Sequence, residues 1–153
     1  MDTARGRDGM TTYRSKTAST WMALLGGALG LHRFYLYGAR DLLAWVHPLP
    51  TLVGLVGVLR LRELGQDDHL AWVLIPLLGV MLTVAMLTAI GYGLTPDEKW
   101  DARHNPGLPG RQTAWGPVFG VVLALLIGGT VLMGTVAFGG QKFFEWQLES
   151  QPR

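Results

Sequence analysis

The fold is decided by LAWVLIPLLGVMLTVAMLTAIGYGL, the stretch that runs from Leu70 to Leu94 without a charged residue. A helix needs about 20 mostly apolar residues to cross the hydrocarbon core of a bilayer, and this stretch has 25. Each of its 12 Leu, Ile and Val residues favours insertion by roughly 0.3 to 0.6 kcal/mol. The sequence therefore predicts a transmembrane helix, which we count as the third of the chain.

Two uncharged stretches lie further out in the sequence. Residues 113–141 contain no charge, and we predict a fourth span over residues 116–139. Residues 17–31 are also uncharged, and we predict the first span over residues 17–36, which requires the side chains of His32 and Arg33 to reach toward the membrane interface.

The remaining stretch, residues 42–59, is irregular because it contains two prolines. Pro48 and Pro50 each lack a backbone donor and disfavour helix at the residue before them, so we predict a span kinked by proline. The chain is thus predicted to be an all-α integral membrane protein with four transmembrane helices. For the predicted first span, residues 17–36, a secretory signal peptide is the alternative, because the preceding tail is basic and residues 28–30 resemble a cleavage site.

The spans divide the chain into four predicted segments. They are a polar N-terminal tail (1–16), a helical hairpin (17–62), a second transmembrane hairpin with a loop at 95–115 (63–141) and a C-terminal tail (142–153). With four spans, the side of the N-terminus carries eight Lys and Arg residues, namely Arg5, Arg7, Arg14, Lys16, Arg60, Arg62, Lys142 and Arg153. The other side carries five, namely Arg33, Arg40, Lys99, Arg103 and Arg111. The positive-inside rule then predicts that both termini are cytoplasmic.

The composition excludes several classes of site. Hydrophobic residues make up 49% of the chain, and its 21 glycines are ordinary in membrane helices, where small residues let backbones approach. The absence of Cys excludes disulfides, thiolate metal sites and a Cys nucleophile. A net charge of +2 gives no indication of nucleic-acid binding.

The most specific motif lies at the end of the first stretch. Residues 27–38 read GALGLHRFYLYG, and Lys16-Thr17-Ala18 precedes them. This motif resembles the signature of the TM-two domain family, small membrane proteins in which two helices are joined by a short turn. The match covers Gly27, Gly30, His32, Arg33, Phe34, Tyr35 and Leu36, and it departs at Tyr37, where the family usually has Gly.

The resemblance spans roughly residues 16–62 and implies a two-helix hairpin in a bacterial inner membrane protein. It implies no activity, because family members are mostly uncharacterised, and the aspartate that commonly closes the second helix has no counterpart near residues 59–63. The residues themselves make His32, Arg33, Phe34, Tyr35 and Asp41 candidates for interaction with lipid headgroups or a partner. We expect Arg33 to pair with lipid phosphate or with Asp41, beside an aromatic anchor; a proton relay or substrate site is the alternative.

Small residues recur at every fourth position of the predicted spans. Such faces let helices approach closely, and we predict packing within one chain, with self-association as the alternative. The residues concerned are Gly26, Gly30, Ala85, Ala89, Gly116, Gly120, Ala124 and Gly128.

The loop after the third span is predicted to contain a short surface helix. Thr95 and Glu98 form a capping box, and Asn105-Pro106-Gly107 is a stop signal. Asp97, Asp101 and His104 would share one helix face, which could hold a divalent metal. We favour a solvated face in which Asp97 pairs with Lys99 or Arg103, and hence no metal.

No catalytic pattern accompanies these features. G-x-S-x-G, H-E-x-x-H and Walker A sequences are absent from the chain, and the third and fourth predicted spans contain no ionisable Asp, Glu, Lys, Arg or His. We therefore expect no enzyme and no cofactor. The prediction is a membrane interaction or scaffold module in contact with the lipid bilayer and with a partner membrane protein or a second copy; a small oligomeric channel or transporter is the alternative.

Overall fold

The computed structural model describes residues 12–151, and every regular element in that range is helical. This confirms the all-α class for the described residues. The helices are α1 (Lys16–Gly26), α2 (Leu31–Tyr37), α3 (Leu42–Val46), α4 (Pro48–Leu64), α5 (His69–Leu94), α6 (Asp97–His104) and α7 (Gly116–Glu149), with a 3₁₀ turn over Gly27–Leu29.

Three of the described helical stretches are long and apolar enough to cross a membrane. They are Leu42–Leu64, which joins α3 to α4, then α5 and α7. Helix α5 is about 39 Å long at 1.5 Å per residue, which exceeds the hydrocarbon thickness. Helix α7 continues to Glu149, so part of the predicted C-terminal tail is helical.

Large apolar side chains cover the outside of the bundle, and small ones fill its centre. Leu126 is 65% exposed and Met133 is 71% exposed, whereas Ala89 and Ala124 are fully buried. A soluble protein rarely exposes apolar surface of this extent. The distribution suits a bundle whose outer surface is solvated by lipid and whose helices approach through small residues.

The first predicted span is not a continuous helix. Helix α1 has 11 residues, a length of about 16 Å, and Gly30 adopts φ +77°, a left-handed conformation that favours glycine. The backbone N–H of Ser15 donates to the hydroxyl of Tyr35 at 2.9 Å, so the end of α2 returns to the beginning of α1. Residues 16–37 therefore form a folded-back hairpin, which we call the α1–α2 hairpin.

The second predicted span is interrupted at His47. Helix α3 ends before His47, and α4 begins at Pro48. At the first position of a helix the backbone N–H has no partner within the helix, so proline costs no hydrogen bond there. Side-chain hydrogen bonds anchor this region to the hairpin: the Thr51 hydroxyl donates to the carbonyl oxygen of Ala28 at 2.6 Å.

Helix α5 lies at the centre and contacts α1, α4 and α7. Small residues lie at these contacts: a Cβ at Gly27 would lie 2.7 Å from Ala85 Cβ, and one at Gly128 would lie 2.7 Å from Met86 Cβ. Ala85 and Ala89 of α5 are buried against the hairpin and α7. Gly116 faces Thr17, Gly120 faces Thr20, Gly26 meets Leu31 of its own hairpin and Gly30 approaches the Ala44 carbonyl. The small faces thus pack within the chain.

The bundle has two ends. We call the one formed by residues 12–16, 38–41 and 95–115 the α6 end, since Arg14 contacts Asn105 and both Tyr37 and Trp100 line one groove. The C-terminal end consists of residues 65–68 and 142–151, where Lys142 contacts the carbonyl oxygen of Gln66. The charge count assumed that Arg14 and Lys16 lie on the same side as Lys142 and opposite the 95–115 loop. The structure corrects this assumption, because residues 13–16 lie at the same end as that loop and opposite the end of α7.

Candidate functional site

The N-terminal strap, residues 13–16, is fastened to α6 by hydrogen bonds. Tyr13 donates to Asp101 at 2.7 Å, and the backbone N–H of Arg14 donates to the side-chain oxygen of Asn105 at 2.7 Å. The carbonyl oxygen of Arg14 accepts from Trp100 Nε1 at 2.8 Å. Trp100 is only 2% exposed, so its side chain forms the core between the strap and α6.

An ion pair between Lys16 and Asp97 completes this attachment. Lys16 also donates to the carbonyl oxygen of Thr95 at 3.0 Å and is buried, while Thr113 donates to Asp97 at 2.6 Å. Desolvation alone would raise the pKa of Asp97, but the hydrogen bonds from Lys16 and Thr113 outweigh it and lower the pKa to about 2. The predicted pairing of Asp97 with Lys99 or Arg103 was wrong, because the strap supplies its cation.

The predicted capping box is also wrong, although the surface helix forms. Thr95 caps the end of α5 and its hydroxyl donates to the carbonyl oxygen of Gly91 at 2.7 Å. Pro96 is the N-cap of α6 and makes no side-chain cap hydrogen bond. The helix ends after His104, as the stop signal indicated, and Gly107 adopts φ +79°.

The carboxylates proposed for a metal are occupied by donors. Asp101 accepts from Tyr13, from Asn105 at 2.8 Å and from the backbone N–H of Arg111 at 2.9 Å. The Tyr13 hydrogen bond and that backbone hydrogen bond lower the pKa of Asp101, while burial raises the pKa of Tyr13 to about 12. Across residues 12–151 no three His, Asp or Glu side chains form a cluster suited to a metal ion.

His104, the third metal candidate, belongs to an aromatic stack. Its ring lies over Trp100 with centroids 4.1 Å apart, and Trp100 meets Tyr92 edge-on at 5.4 Å. Burial lowers the pKa of His104. Burial therefore favours the uncharged imidazole, whose ring extends the aromatic stack.

A groove of about 690 Å³ opens between α6 and the end of α2. Its walls include Tyr37, Tyr92 and Trp100, and its charged side chains are Lys99 and Arg103. Both cations are exposed and form no ion pair within the described residues, and no carboxylate lines the groove. The groove is therefore positively charged, and we call it the α6 groove.

The residues of the H-R-F-Y motif contact their own chain. Arg33 Nε donates to Asp41 at 2.7 Å, which lowers the pKa of that carboxyl. Phe34 packs edge-on against Trp45 at 5.1 Å, and Tyr35 accepts from the strap. The exposed Tyr37 lies under the Arg33 guanidinium at 5.2 Å.

His32 is the least satisfied polar residue of the motif. It is 3% exposed, and its Nδ1 has no hydrogen-bond partner within residues 12–151. Its ring lies 5.7 Å from that of His47 and 5.8 Å from that of Tyr92. His32 is thus enclosed beside Tyr92, one of the residues that line the α6 groove.

Sequence reasoning missed a repeated turn. The pattern G-x₂-G-x₂-R-x₄-G-x₂-D-x-L-A-W-V occurs over residues 27–46 and again over 54–73. In each copy the glycine before the aspartate has positive φ, the arginine pairs with the aspartate, and the tryptophan donates to a carbonyl oxygen six residues back. The two LAWV segments could have revealed it.

Comparison with known proteins adds no further constraint: no protein-family model, curated protein or solved structure matches this chain.

Proposed function

We propose that this chain is a non-enzymatic integral membrane module that binds a lipid or a partner membrane protein at its α6 end. The observation that carries the proposal is the α6 groove, in which Lys99 and Arg103 are exposed without a carboxylate partner among the described residues. Elsewhere at this end, Lys16 and Arg33 are already paired with Asp97 and Asp41. The unpaired cations are therefore free to receive an anionic group from outside the chain.

The proposed topology has three membrane-crossing helices and a re-entrant α1–α2 hairpin. Support comes from the Ser15–Tyr35 hydrogen bond and from the length of α1, about half the hydrocarbon thickness. Non-helical backbone is tolerated at membrane depth where protein surrounds it, and the 3₁₀ turn packs against α5.

This topology reverses the predicted orientation of the loops. Among the described residues the α6 end carries seven Lys and Arg side chains, namely Arg14, Lys16, Arg33, Arg40, Lys99, Arg103 and Arg111. The C-terminal end carries three, namely Arg60, Arg62 and Lys142. By the positive-inside rule we propose that the α6 end faces the cytoplasm and the C-terminal end the opposite side, in a plasma membrane.

The relation to the TM-two family stays a prediction that rests on the motif of residues 27–36. The resemblance implies a hairpin of two helices that both cross the membrane. In the proposed topology the motif instead lies in the α1–α2 hairpin, which returns to the side of the membrane on which it starts.

Site-specific photocrosslinking in native membranes tests the proposed function. A photoreactive residue at Ala102, which is exposed on α6 beside the groove, should give adducts with a lipid or a protein. The same residue at the exposed Glu63 near the C-terminal end is the control and should give fewer. Equal adducts at both positions would contradict a binding site at the α6 end.

A small oligomeric channel or transporter is the second candidate, favoured by two observations. The repeated turns lie at opposite ends of the bundle, as in the inverted repeats of transporters, and a re-entrant hairpin holds the unpartnered His32. Ion flux through liposomes containing the purified chain, lost in His32→Ala, would support this candidate. Flux equal to empty liposomes would oppose it.

A further inference from the structure

The α6 groove joins an apolar end to a charged one. Tyr92 belongs to the last turn of α5, the most hydrophobic of the described helices, whereas Lys99 and Arg103 lie on α6 beyond the end of that helix. A molecule in the groove would meet aromatic rings first and cations next along the direction out of the membrane. This order matches the junction between the glycerol backbone of a lipid and its phosphate.

The cations are placed to act together on one anion. Lys99 and Arg103 are four residues apart on α6, so their side chains leave the same face of the helix. The stacked rings of His104 and Trp100 form the adjoining wall, and Asp97 and Asp101 are held by the strap. The groove therefore offers two positive charges and no repelling carboxylate along its lining.

We propose that the α6 groove binds the phosphate of an anionic phospholipid from the leaflet at the α6 end. This inference rests on the proposed function and narrows its ligand to a lipid. Lys99 and Arg103 would hold the phosphate, and exposed Tyr37 would lie beside the glycerol region, where amphipathic aromatic rings are favoured. A phosphatidylcholine headgroup is expected to bind less strongly, because its positively charged choline offsets the charge of the phosphate.

Thermal stabilisation and native mass spectrometry of the detergent-purified full chain test the site. Phosphatidylglycerol should raise the melting temperature and remain bound, whereas phosphatidylcholine with the same acyl chains should do neither to the same extent. The double variant K99Q/R103Q should lose about fivefold in phosphatidylglycerol affinity per removed charge. The matched control R40Q/R62Q removes two exposed arginines outside the groove and should bind like wild type.

Three outcomes would overturn the lipid site. They are equal stabilisation by both lipids, equal weakening in K99Q/R103Q and R40Q/R62Q, and stabilisation by inorganic phosphate alone as large as by phosphatidylglycerol. If lipid selectivity fails while Ala102 still crosslinks to a protein, the groove binds a partner and the proposed function stands. If Ala102 gives no selective adduct either, the proposed function fails as well.

Discussion

The two repeated turns are alike in chemistry but follow different helices. Residues 33–46 and 60–73 share the arginine–aspartate pair, the glycine with positive φ and the tryptophan hydrogen bond. The second turn follows the 17-residue α4, which together with α3 is long enough to cross a membrane, whereas the first follows the seven-residue α2. The turn therefore fixes the geometry of the connection between two helices. Contacts outside the turn determine the length of the helix that precedes it.

Those outside contacts belong to the strap. Lys16 and Arg14 fix the start of α1 at the α6 end, and the left-handed Gly30 lets the chain reverse after about 16 Å of helix. Helix α4 has neither restraint and continues to Leu64.

The largest expected effect concerns which side of the membrane the strap occupies. Because the chain has no cysteine, single Thr12→Cys and Ala102→Cys variants give unambiguous labelling with a membrane-impermeant maleimide. Both should be protected in intact cells and react after permeabilisation, while Glu63→Cys and Gln147→Cys should react from outside. Labelling of Thr12→Cys from the side opposite to Ala102→Cys would mean that the hairpin crosses the membrane.

A second prediction concerns the packing of the α1–α2 hairpin against α7. Gly120 of α7 faces the hairpin, where an added Cβ would lie 2.8 Å from Thr20 Cγ2, whereas Gly134 on the same helix faces open space. Gly120→Leu should lower stability by about 1 to 3 kcal/mol through overpacking, and Gly134→Leu should not. Melting in mild detergent measures the difference.

The labelling rate of a cysteine at the buried Ser19 should rise with Gly120→Leu if the hairpin is displaced. Equal melting of the two leucine variants would show that Gly120 does not limit hairpin packing.

The sequence was sufficient for α5 and α7 because long uncharged runs need no knowledge of partners. It was insufficient for residues 17–36, since hydropathy is similar for a helix that crosses and for one that turns back. The reversal depends on Gly30 and on Lys16 meeting Asp97, a residue far along the chain. The groove cations were visible in the sequence, but their lack of carboxylate neighbours was not.

A third prediction concerns the strap through the pH dependence of stability. The pKa of Asp97 is lowered from 3.8 in the unfolded chain to about 2 in the fold. The stabilisation is therefore fully present above pH 3.8 and is lost as the pH falls through 2. Because Asp97 is partly exposed, we expect Asp97→Asn to cost about 1 kcal/mol at neutral pH.

Melting temperatures of wild type and Asp97→Asn, measured between pH 6 and pH 2, test this prediction. The difference between the two proteins should become smaller as the pH falls. Glu98→Gln is the control, since Glu98 is exposed on the same helix and has no ion pair within residues 12–151. A difference that stays constant with pH would show that the charge of Asp97 is not what holds the strap.

The smallest expected effect distinguishes the two turns by the shape of their ion pairs. Arg60 donates to both oxygens of Asp68, at 2.8 and 3.1 Å, whereas Arg33 donates to Asp41 through Nε alone. Lysine supplies a point charge but cannot reproduce a two-pronged contact. Arg33→Lys should therefore melt close to wild type, and Arg60→Lys should melt lower by a small, measurable amount.

Asp41→Asn and Asp68→Asn provide the reference, because each keeps one side-chain oxygen to cap the following helix and replaces the charged oxygen that accepts from the arginine by an amide nitrogen. Arg60→Lys should approach the loss seen in Asp68→Asn, while Arg33→Lys should retain more than Asp41→Asn. If Arg33→Lys falls as far as Asp41→Asn, the first turn also depends on the planar guanidinium, and Arg33 acts as a fork for the carboxylate. If all four variants melt like wild type, the repeated ion pairs add nothing to stability, and glycine and tryptophan alone define the turn.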